Sequence, residues 1–423
     1  MSLKEKLFPQ NRLGLDRFWN FSRGGIDNFR TGLRDAVSGV EQTRSRMMEY
    51  DQLLVWAVLS LMLIGLVMVY SASITLADGP KYANYSSNFF LIRHLISLAI
   101  AIGVGIWAFK IPSKVWDRYS PVIFGFTVIL LIAVLIPGIG KGVNGAKRWI
   151  PLGVMNFQPS ELMKFAAVIF AASYTVQRQE YLHSFSKGML PMGIAVALVG
   201  GLLMKEPDMG AFVVVALIAF GILFLGGINA KLFGGLIVVG LLSGAAMIAL
   251  SPFRRGRMLA FMDPWQVDNA ANKGYQLTHS LMAFGRGEWF GTGLGGSVEK
   301  LHYLPEAHTD FIMAVIGEEL GFVGVVVMIF LFYWIVRRAF MIGRTALQLD
   351  RSFAGLAAKG VAIWIGWQAF INMGVNLGLL PTKGLTLPLV SYGGSGILMN
   401  AVAIAMLSRI DYENRILMRG GKL

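Results

Sequence analysis

The sequence has no cysteine among its 423 residues, which excludes disulfide bridges and thiolate metal sites. Charged side chains are also scarce, at 15% of the chain, whereas soluble domains usually carry about 25%. It contains no HExxH, Walker-type or GxSxG motif, and its five histidines are too scattered to indicate a metal site. The Gly-rich run at 291–296 follows no predicted strand, so it does not indicate nucleotide binding.

What the sequence has instead is apolar residues, which make up 55% of the chain and give a mean hydropathy of +0.60. They occur in blocks of about 20, the length that crosses about 30 Å of hydrocarbon. The pattern predicts an all-α, polytopic membrane protein with about ten transmembrane helices and one long structured periplasmic loop. The predicted spans are 53–74, 89–109, 121–136, 159–175, 189–204, 208–225, 232–250, 311–336, 353–377 and 387–407.

The distribution of positive charge predicts the orientation of these spans. The formal net charge is +14, which in a soluble protein would suggest nucleic acid but in a membrane protein reflects basic cytoplasmic segments. With the N-terminus inside, cytoplasmic segments hold 23 Lys and Arg, against 12 in the outer loops, six of them in the single long loop. This asymmetry predicts that both termini are cytoplasmic and that nucleic acid is not a partner.

The chain is predicted to have three parts. Residues 1–50 form a basic cytoplasmic tail with nine Lys and Arg and no apolar core of a signal peptide. The apolar spacing within this tail fits either a short amphipathic helix or a disordered segment. Residues 51–410 form the membrane domain, which includes the long loop 251–310, with a helix expected at 275–284 on the outer surface. Residues 411–423 form a second cytoplasmic tail.

Ionisable residues within or beside the spans are the candidates for function, because they are costly in lipid and normally face a cavity or a partner. In the segment from 144 to 165, Lys147 and Arg148 lie outside the membrane, and Glu161 and Lys164 lie within a span. Glu161 and Lys164 are three residues apart and can pair on one helix face. Glu161 and Lys164 either form a structural pair that satisfies both charges or line a cavity whose cations bind a diphosphate.

A second set of acidic residues flanks the sixth and eighth predicted spans. Asp208, in the charged turn KEPDMG, either is solvated or caps the following helix. Thr309 is expected to cap the eighth span, with Asp310 in its first turn, where an acidic residue is commonly a complement to the helix dipole. Glu318 and Glu319 lie about two turns further along in an otherwise apolar span.

The run LPTKGLTLPLVSYGGSG at 380–396 interrupts the last predicted span with prolines and glycines. Broken backbone at membrane depth is tolerated only beside a cavity or within protein. Lys383 in this run either extends along the outer boundary of the membrane, as lysines there commonly do, or faces that cavity.

Four runs together carry a resemblance to a known family: NGAKRWIPLG with FQPSELMK, EPDMG, the stretch from GYQLTHSLMAFGRGEW to EAHTDFIMAVIGEELG, and LPTKGLTLPLVSYGG. From about residue 50 onward, the chain resembles the SEDS family (shape, elongation, division, sporulation). The last run and the long basic tail are similar to the cell-division branch of that family. Two positions depart from its usual pattern: Gly396, where Ser is usual, and Glu206, where Gln is frequent.

The resemblance implies a peptidoglycan glycosyltransferase that polymerises lipid II in the inner membrane, at the division septum. The family's essential carboxylate corresponds to Asp310. Its cavity residues correspond to Arg148, Glu161, Lys164 and Lys383, with Lys147 and His308 as further candidates for substrate binding. The implied partners are a class B penicillin-binding protein, other divisome proteins, lipid II and membrane lipids. No cofactor is required, and a divalent cation is left open.

Two other functions remain open at this point. Buried charges and broken helices also suit a flippase that moves the lipid-linked precursor across the membrane, although no inverted repeat is visible. A non-catalytic scaffold would have little use for Glu161, Lys164 and Asp310.

Overall fold

The computed structural model describes residues 50–78, 86–143, 146–151, 153 and 156–422. The basic N-terminal tail and its predicted amphipathic helix lie outside the described residues. Residues 50–414 form one compact unit. Its α-helices are α1 (Gln52–Ser73), α2 (Phe89–Phe109), α3 (Ser113–Leu135), α4 (Pro159–Gln177), α5 (Leu190–Lys205), α6 (Met209–Leu225), α7 (Ala230–Ala249), α8 (Pro252–Met262), α9 (Val267–Ala271), α10 (Tyr275–Gly287), α11 (Ile312–Gln348), α12 (Ser352–Asn376) and α13 (Gly394–Met418).

A helix coincides with each of the ten predicted spans. Within the described part of the chain, six helices are long and apolar enough to cross a membrane, and two shorter apolar helices lie at 209–225 and 230–246. Helix α2 illustrates the pattern: Phe90, His94, Leu98 and Ala101 face the protein, while large apolar side chains such as Ile106 are exposed. Exposed faces of this kind suit hydrocarbon rather than water, so the chain is a multi-pass membrane protein.

Helix α3 begins eight residues before the predicted span, which was expected to start at Pro121. Proline has no amide hydrogen and cannot bond to the carbonyl of residue 117. The Ser120 hydroxyl donates to the Asp117 carbonyl at 2.9 Å instead, so the helix continues through the proline.

Helix α11 differs most from the prediction, which placed a single span at 311–336. It extends to Gln348, and it is broken at Gly321, whose φ of 65° and ψ of −162° lie outside the helical region. Only glycine adopts this conformation readily. The amides freed by the break are satisfied by the preceding loop, because Phe322 donates to the Glu288 carbonyl at 2.9 Å and Val323 to the Trp289 carbonyl at 3.1 Å.

The long loop before α11 is structured, as predicted. The helix expected at 275–284 is α10, and two further helices, α8 and α9, were not predicted. The segment between α3 and α4 also differs from a purely helical fold, because it contains a small antiparallel sheet. Its strands, in spatial order, are β1 (Lys141–Val143), β2 (Ala146–Pro151) and β3 (Asn156–Phe157). β1 and β3 have only three and two residues, too few to show a period-two pattern.

Helix α12 lies at the centre of the unit and packs against α4, α6 and α11. The chain between α12 and α13 has no helical residues from 379 to 393, so the predicted span at 387–407 begins seven residues late. Gly65 on α1 touches this segment so closely that a Cβ there would lie 2.7 Å from the Val390 carbonyl oxygen. Small residues allow such contacts within membranes.

Candidate active site

A cavity of about 490 Å³ opens between the small sheet, the turn that precedes α6, the start of α11 and the non-helical segment 379–393. Its lining includes four basic and four acidic side chains: Arg93, Arg148, Arg257, Lys383, Glu161, Asp208, Glu306 and Asp310. Four of the predicted site residues therefore meet in one place, namely Arg148, Glu161, Lys383 and Asp310.

Asp310 lies at the end of the long loop, two residues before α11 begins, and not in its first turn as predicted. Its backbone carbonyl accepts hydrogen bonds from Asn372 Nδ2 at 2.8 Å and Asn376 Nδ2 at 3.0 Å. Asn376 also accepts from the Ala314 amide at 3.2 Å through Oδ1. On the opposite side, a Cβ at Gly384 would lie 2.9 Å from Asp310 Oδ2. The carboxylate is therefore held against a glycine by bonds to its own backbone.

The surroundings of Asp310 favour its protonated form. Burial, followed by the nearby Glu306 carboxylate, raises the pKa of Asp310 to about 7; Asp208 adds to the rise and Arg148 opposes it. Thr309 was expected to cap α11, but its hydroxyl donates to Glu306 Oε2 at 2.8 Å. The prediction of a Thr309 cap was wrong, because the N-cap residue is Phe311 and the Thr309 hydroxyl is bonded to Glu306 instead.

Glu161 and Lys164 form the predicted pair on α4, with Lys164 Nζ 2.7 Å from Glu161 Oε2. Glu161 is 7% exposed and contributes to the cavity, whereas Lys164 is 0% exposed and lies behind it. Lys164 also donates to Gln368 Oε1 at 2.8 Å, and Gln368 Nε2 donates to the Thr386 carbonyl at 2.9 Å. The pair therefore connects α4, α12 and the non-helical segment behind the cavity.

Arg148 lies on β2, and its Nε donates to the Glu206 carbonyl at 3.0 Å. The same guanidinium also bonds the Pro207 carbonyl, which places a fixed positive charge at the cavity wall. Lys147, the preceding strand residue, is exposed and does not line the cavity. Successive strand residues point to opposite faces, so the sheet brings only one of the two cations into the cavity.

Glu206 is fully buried beside Arg148. Within the described residues, neither of its carboxylate oxygens has a hydrogen-bond partner. Burial and the nearby Asp208 raise the pKa of Glu206 to about 8, with Arg148 opposing. These surroundings therefore favour the neutral form of the Glu206 side chain.

Lys383 lies in the non-helical segment and faces the cavity. Burial, together with Arg257 and Arg254 nearby, lowers the pKa of Lys383. An incoming anion would reverse this effect by favouring the charged ammonium. The position therefore suits a lysine that binds a phosphate group.

His308 is buried and does not line the cavity. Its ring packs against Phe90 and Tyr392, with centroids 5.0 and 5.5 Å away. Its carbonyl accepts from the Tyr392 amide at 3.0 Å. Since Tyr392 does line the cavity, His308 supports the cavity wall.

Four charged lining residues were not predicted as site residues. Asp208 caps α6 as one of its two readings expected, accepting from the Ala211 amide at 3.1 Å, and also faces the cavity. Arg93 could have been predicted from the sequence, because an arginine inside a predicted span is a functional candidate by default. Glu306 and Arg257 lie in the long loop, where nothing in the local pattern indicates which side chains turn inward.

Among the described residues, no three His, Asp or Glu side chains are arranged to hold a metal ion.

Comparison with known proteins identifies the family. Residues 52–416 match the family described as "Cell cycle protein", that of FtsW, RodA and SpoVE. A protein from Polynucleobacter necessarius named "Probable peptidoglycan glycosyltransferase FtsW" is 95% identical over 423 residues, covering 100% of both chains. A Burkholderia thailandensis protein of the same name is 64% identical over 392 residues, covering 93% of this chain and 85% of the relative.

Two solved structures share the fold. One, described as "Structural coordination of polymerization and crosslinking by a peptidoglycan synthase complex", has a chain with a TM-score of 0.72 and 27% identity, covering 87% of this chain and 99% of its own. The other is the rod shape determining protein RodA of Thermus thermophilus, with a TM-score of 0.61 and 25% identity, covering 86% and 97%. The matched family model and these relatives show that the chain belongs to the SEDS family of FtsW, RodA and SpoVE.

Proposed function

We propose that this chain is a peptidoglycan glycosyltransferase that polymerises lipid II, with Asp310 as its general base. The observation that supports the base assignment is the position of Asp310: a carboxylate with a pKa of about 7 faces a cavity that four cations line. A base is most effective when its pKa lies near the working pH. Cations in a site that excludes water suit a leaving group whose negative charge grows during the reaction.

The proposed reaction joins two lipid-linked substrates. Asp310 accepts the proton of the acceptor sugar hydroxyl, while the oxygen of that hydroxyl attacks the anomeric carbon of the donor. A new glycosidic C–O bond forms, the C–O bond to the diphosphate breaks, and the polyprenyl diphosphate leaves with the electron pair. Arg148 and Lys383 stabilise the diphosphate charge. Because the cavity opens beside the spans, both lipid tails can remain in the membrane, which keeps the two reacting sugars in register.

The remaining candidate residues have different parts in this proposal. Glu161 faces the cavity and accepts hydrogen bonds from substrate, while Lys164 holds it in place through their ion pair. His308 supports Tyr392 in the wall. Lys147 faces away from the cavity, and there it is available to a headgroup that approaches from outside. In the proposed mechanism Asp310 alone accepts the proton, and a divalent cation bound with the diphosphate would supply additional charge neutralisation.

The experiment that tests this function is polymerisation of fluorescent lipid II by the purified wild-type protein in a bilayer, together with its penicillin-binding partner. We expect glycan strands and release of polyprenyl diphosphate. The same vesicles should also be assayed for movement of lipid II between leaflets. Movement without polymer would contradict the proposal and favour a flippase.

The rate of polymerisation is expected to depend on pH through Asp310. Because a base must be ionised to accept a proton, the rate should rise as pH increases through about 7. Glu306→Gln removes one of the charges that raise this pKa, so the rising limb should move to lower pH. The exposed Glu180, outside the cavity, provides a control: Glu180→Gln should leave the profile unchanged. An unshifted limb in Glu306→Gln would contradict the electrostatic account of Asp310.

The proposed setting is the inner membrane at the division septum, with both termini cytoplasmic and a class B penicillin-binding protein and other divisome proteins as partners. The charge asymmetry of the loops and the FtsW name of the relatives support it. Reporter fusions at Lys4 and Leu423 should both be cytoplasmic, and a fusion at Trp289 should be periplasmic. An outward C-terminus would be inconsistent with the even number of spans.

A further inference from the structure

A second buried charged cluster lies where α11 is broken, away from the cavity. Glu318 and Glu319 end the first piece of α11, just before Gly321, and are 0% and 1% exposed. The proposed chemistry does not use them. Isolated charges are costly to bury, so their partners should explain their position.

Glu319 is paired across three parts of the chain. Lys300, in the long loop and 4% exposed, places its Nζ 2.7 Å from Glu319 Oε1. The Ser71 hydroxyl on α1 donates to the same carboxylate at 2.7 Å and accepts from Lys300 Nζ at 3.0 Å. A closed triangle of one cation, one anion and one hydroxyl therefore ties the loop and α1 to α11.

Glu318 fixes the adjoining backbone of the same loop. The Val298 amide donates to Glu318 Oε1 at 2.9 Å, and the Ser297 hydroxyl donates to Oε2. The backbone of the same two residues, just before the break, is also bound, because the Glu318 and Glu319 carbonyls accept from the Thr292 and Gly293 amides at 2.9 and 3.1 Å. The loop therefore binds both the side chains and the backbone of these two residues.

These contacts close a loop that carries Asp310. The chain leaves the cluster at Lys300, passes Glu306 and Asp310, and returns along the first piece of α11 to Glu319. Glu319 lies nine positions after Asp310, and the helical part of this stretch, from Ile312 to Glu319, is about 10 Å long. One end of this piece is held by Asn372 and Asn376, and the other end is held by the charged cluster.

We propose that Lys300, Glu319 and Ser71 form an ionic latch that positions Asp310 by closing the loop 300–310 on the first piece of α11. The inference rests on the proposed role of Asp310 as the base. All three are positioning residues, because none of them lines the cavity. Loss of the latch displaces the base from the acceptor hydroxyl, and a misplacement of about 1 Å can lower a rate by about a hundredfold.

The chain offers a matched control for breaking the latch. The same two helices, α1 and α11, are joined a second time by the pair between Asp51 and Arg338. Asp51 is 6% exposed, so Arg338→Gln, like Lys300→Gln, leaves a buried carboxylate without its cation. Arg338 lies 19 positions beyond Glu319 and outside the loop that carries Asp310. Comparing the two variants separates the specific effect of losing the Lys300 cation from the general effect of leaving a buried carboxylate without its cation.

The absence of cysteine allows a direct readout of loop closure. Leu304 lies within the loop and is 3% exposed, so the thiol of Leu304→Cys should react slowly with a water-soluble maleimide. Adding Lys300→Gln should increase the labelling rate at least tenfold, whereas adding Arg338→Gln should leave it within about twofold. Labelling is measured without substrate, so it does not depend on whether the protein polymerises lipid II.

Turnover gives the second readout. In Lys300→Gln, kcat should fall between about ten- and a hundredfold with little change in KM, because the cavity cations remain. Lys300→Arg keeps the charge and should retain more turnover than Lys300→Gln. Ser71→Ala removes only the hydroxyl, so it should fold and show a smaller fall in kcat. Arg338→Gln should keep the wild-type kcat.

The outcomes are distinguishable from failure of the proposed function, which would show as absence of polymer from the wild type. Wild-type labelling and kcat in both Lys300→Gln and Ser71→Ala would overturn the latch. Equal losses in Lys300→Gln and Arg338→Gln would also overturn it, because they would indicate general destabilisation. A rise in labelling with a fall in kcat, confined to the Lys300 and Ser71 variants, would support it.

Discussion

Asp310→Asn is expected to abolish most lipid II polymerisation while the protein still folds, inserts and binds its penicillin-binding partner. General-base catalysis typically contributes about 10²–10⁴ in rate, and an amide does not accept the proton. The change should cost little stability, because the bonds from Asn372 and Asn376 go to the backbone carbonyl of residue 310, which asparagine retains. The side-chain volume is also nearly unchanged, so the contact with Gly384 is preserved.

The control for this result is Glu306→Gln, which neutralises the neighbouring carboxylate in the same cavity. We expect it to shift the pH profile and to retain polymerisation, since Glu306 is not the base. Polymer yield, thermal midpoint and co-purification of the partner should be measured for both variants. Wild-type yield from a well-folded Asp310→Asn variant would remove Asp310 from the mechanism.

The second large effect is expected from breaking the Glu161–Lys164 pair. Lys164 is completely buried and Glu161 almost so, and removing one partner of a buried pair typically costs about 3–5 kcal/mol, because the other charge is left uncompensated. Glu161→Gln and Lys164→Met should each lower stability severely. The double variant should lose less than the sum of the two, since neither charge is then left alone.

A double-mutant cycle on unfolding in detergent measures this coupling. The bond from Lys164 to Gln368 is a second support for the lysine, so Gln368→Leu should add to the loss in the Glu161→Gln background. Strict additivity of Glu161→Gln and Lys164→Met would show that the two side chains do not interact.

The positions of the helices could be predicted from sequence because hydrocarbon sets their length and apolar character. The pairing of Glu161 with Lys164 also followed from sequence, since a spacing of three residues fixes which helix face they share. Asp310 and Lys383 were recognised through the family resemblance, and the structure adds that they face one cavity. These features depend on local spacing or on whole motifs.

Features that depend on contacts between distant segments could not be predicted. The break at Gly321 is stable because the loop supplies carbonyls to Phe322 and Val323, and no local pattern encodes that supply. The same holds for Lys300, whose partner Glu319 belongs to another element. The local pattern did not distinguish Lys147 from Arg148, and only the family resemblance placed Arg148 in the cavity. The pairing of β2 with its neighbours determines which of the two reaches it.

In the proposed mechanism Asp310 acts in bond formation rather than in binding. Single-turnover reactions test it most directly, with wild type and Asp310→Asn each saturated with labelled lipid II and its bound fraction measured in the same samples. We expect equal binding and a first glycosidic bond that forms about 10²–10⁴ times more slowly in the variant. Equal rates of bond formation in two equally loaded proteins would contradict it.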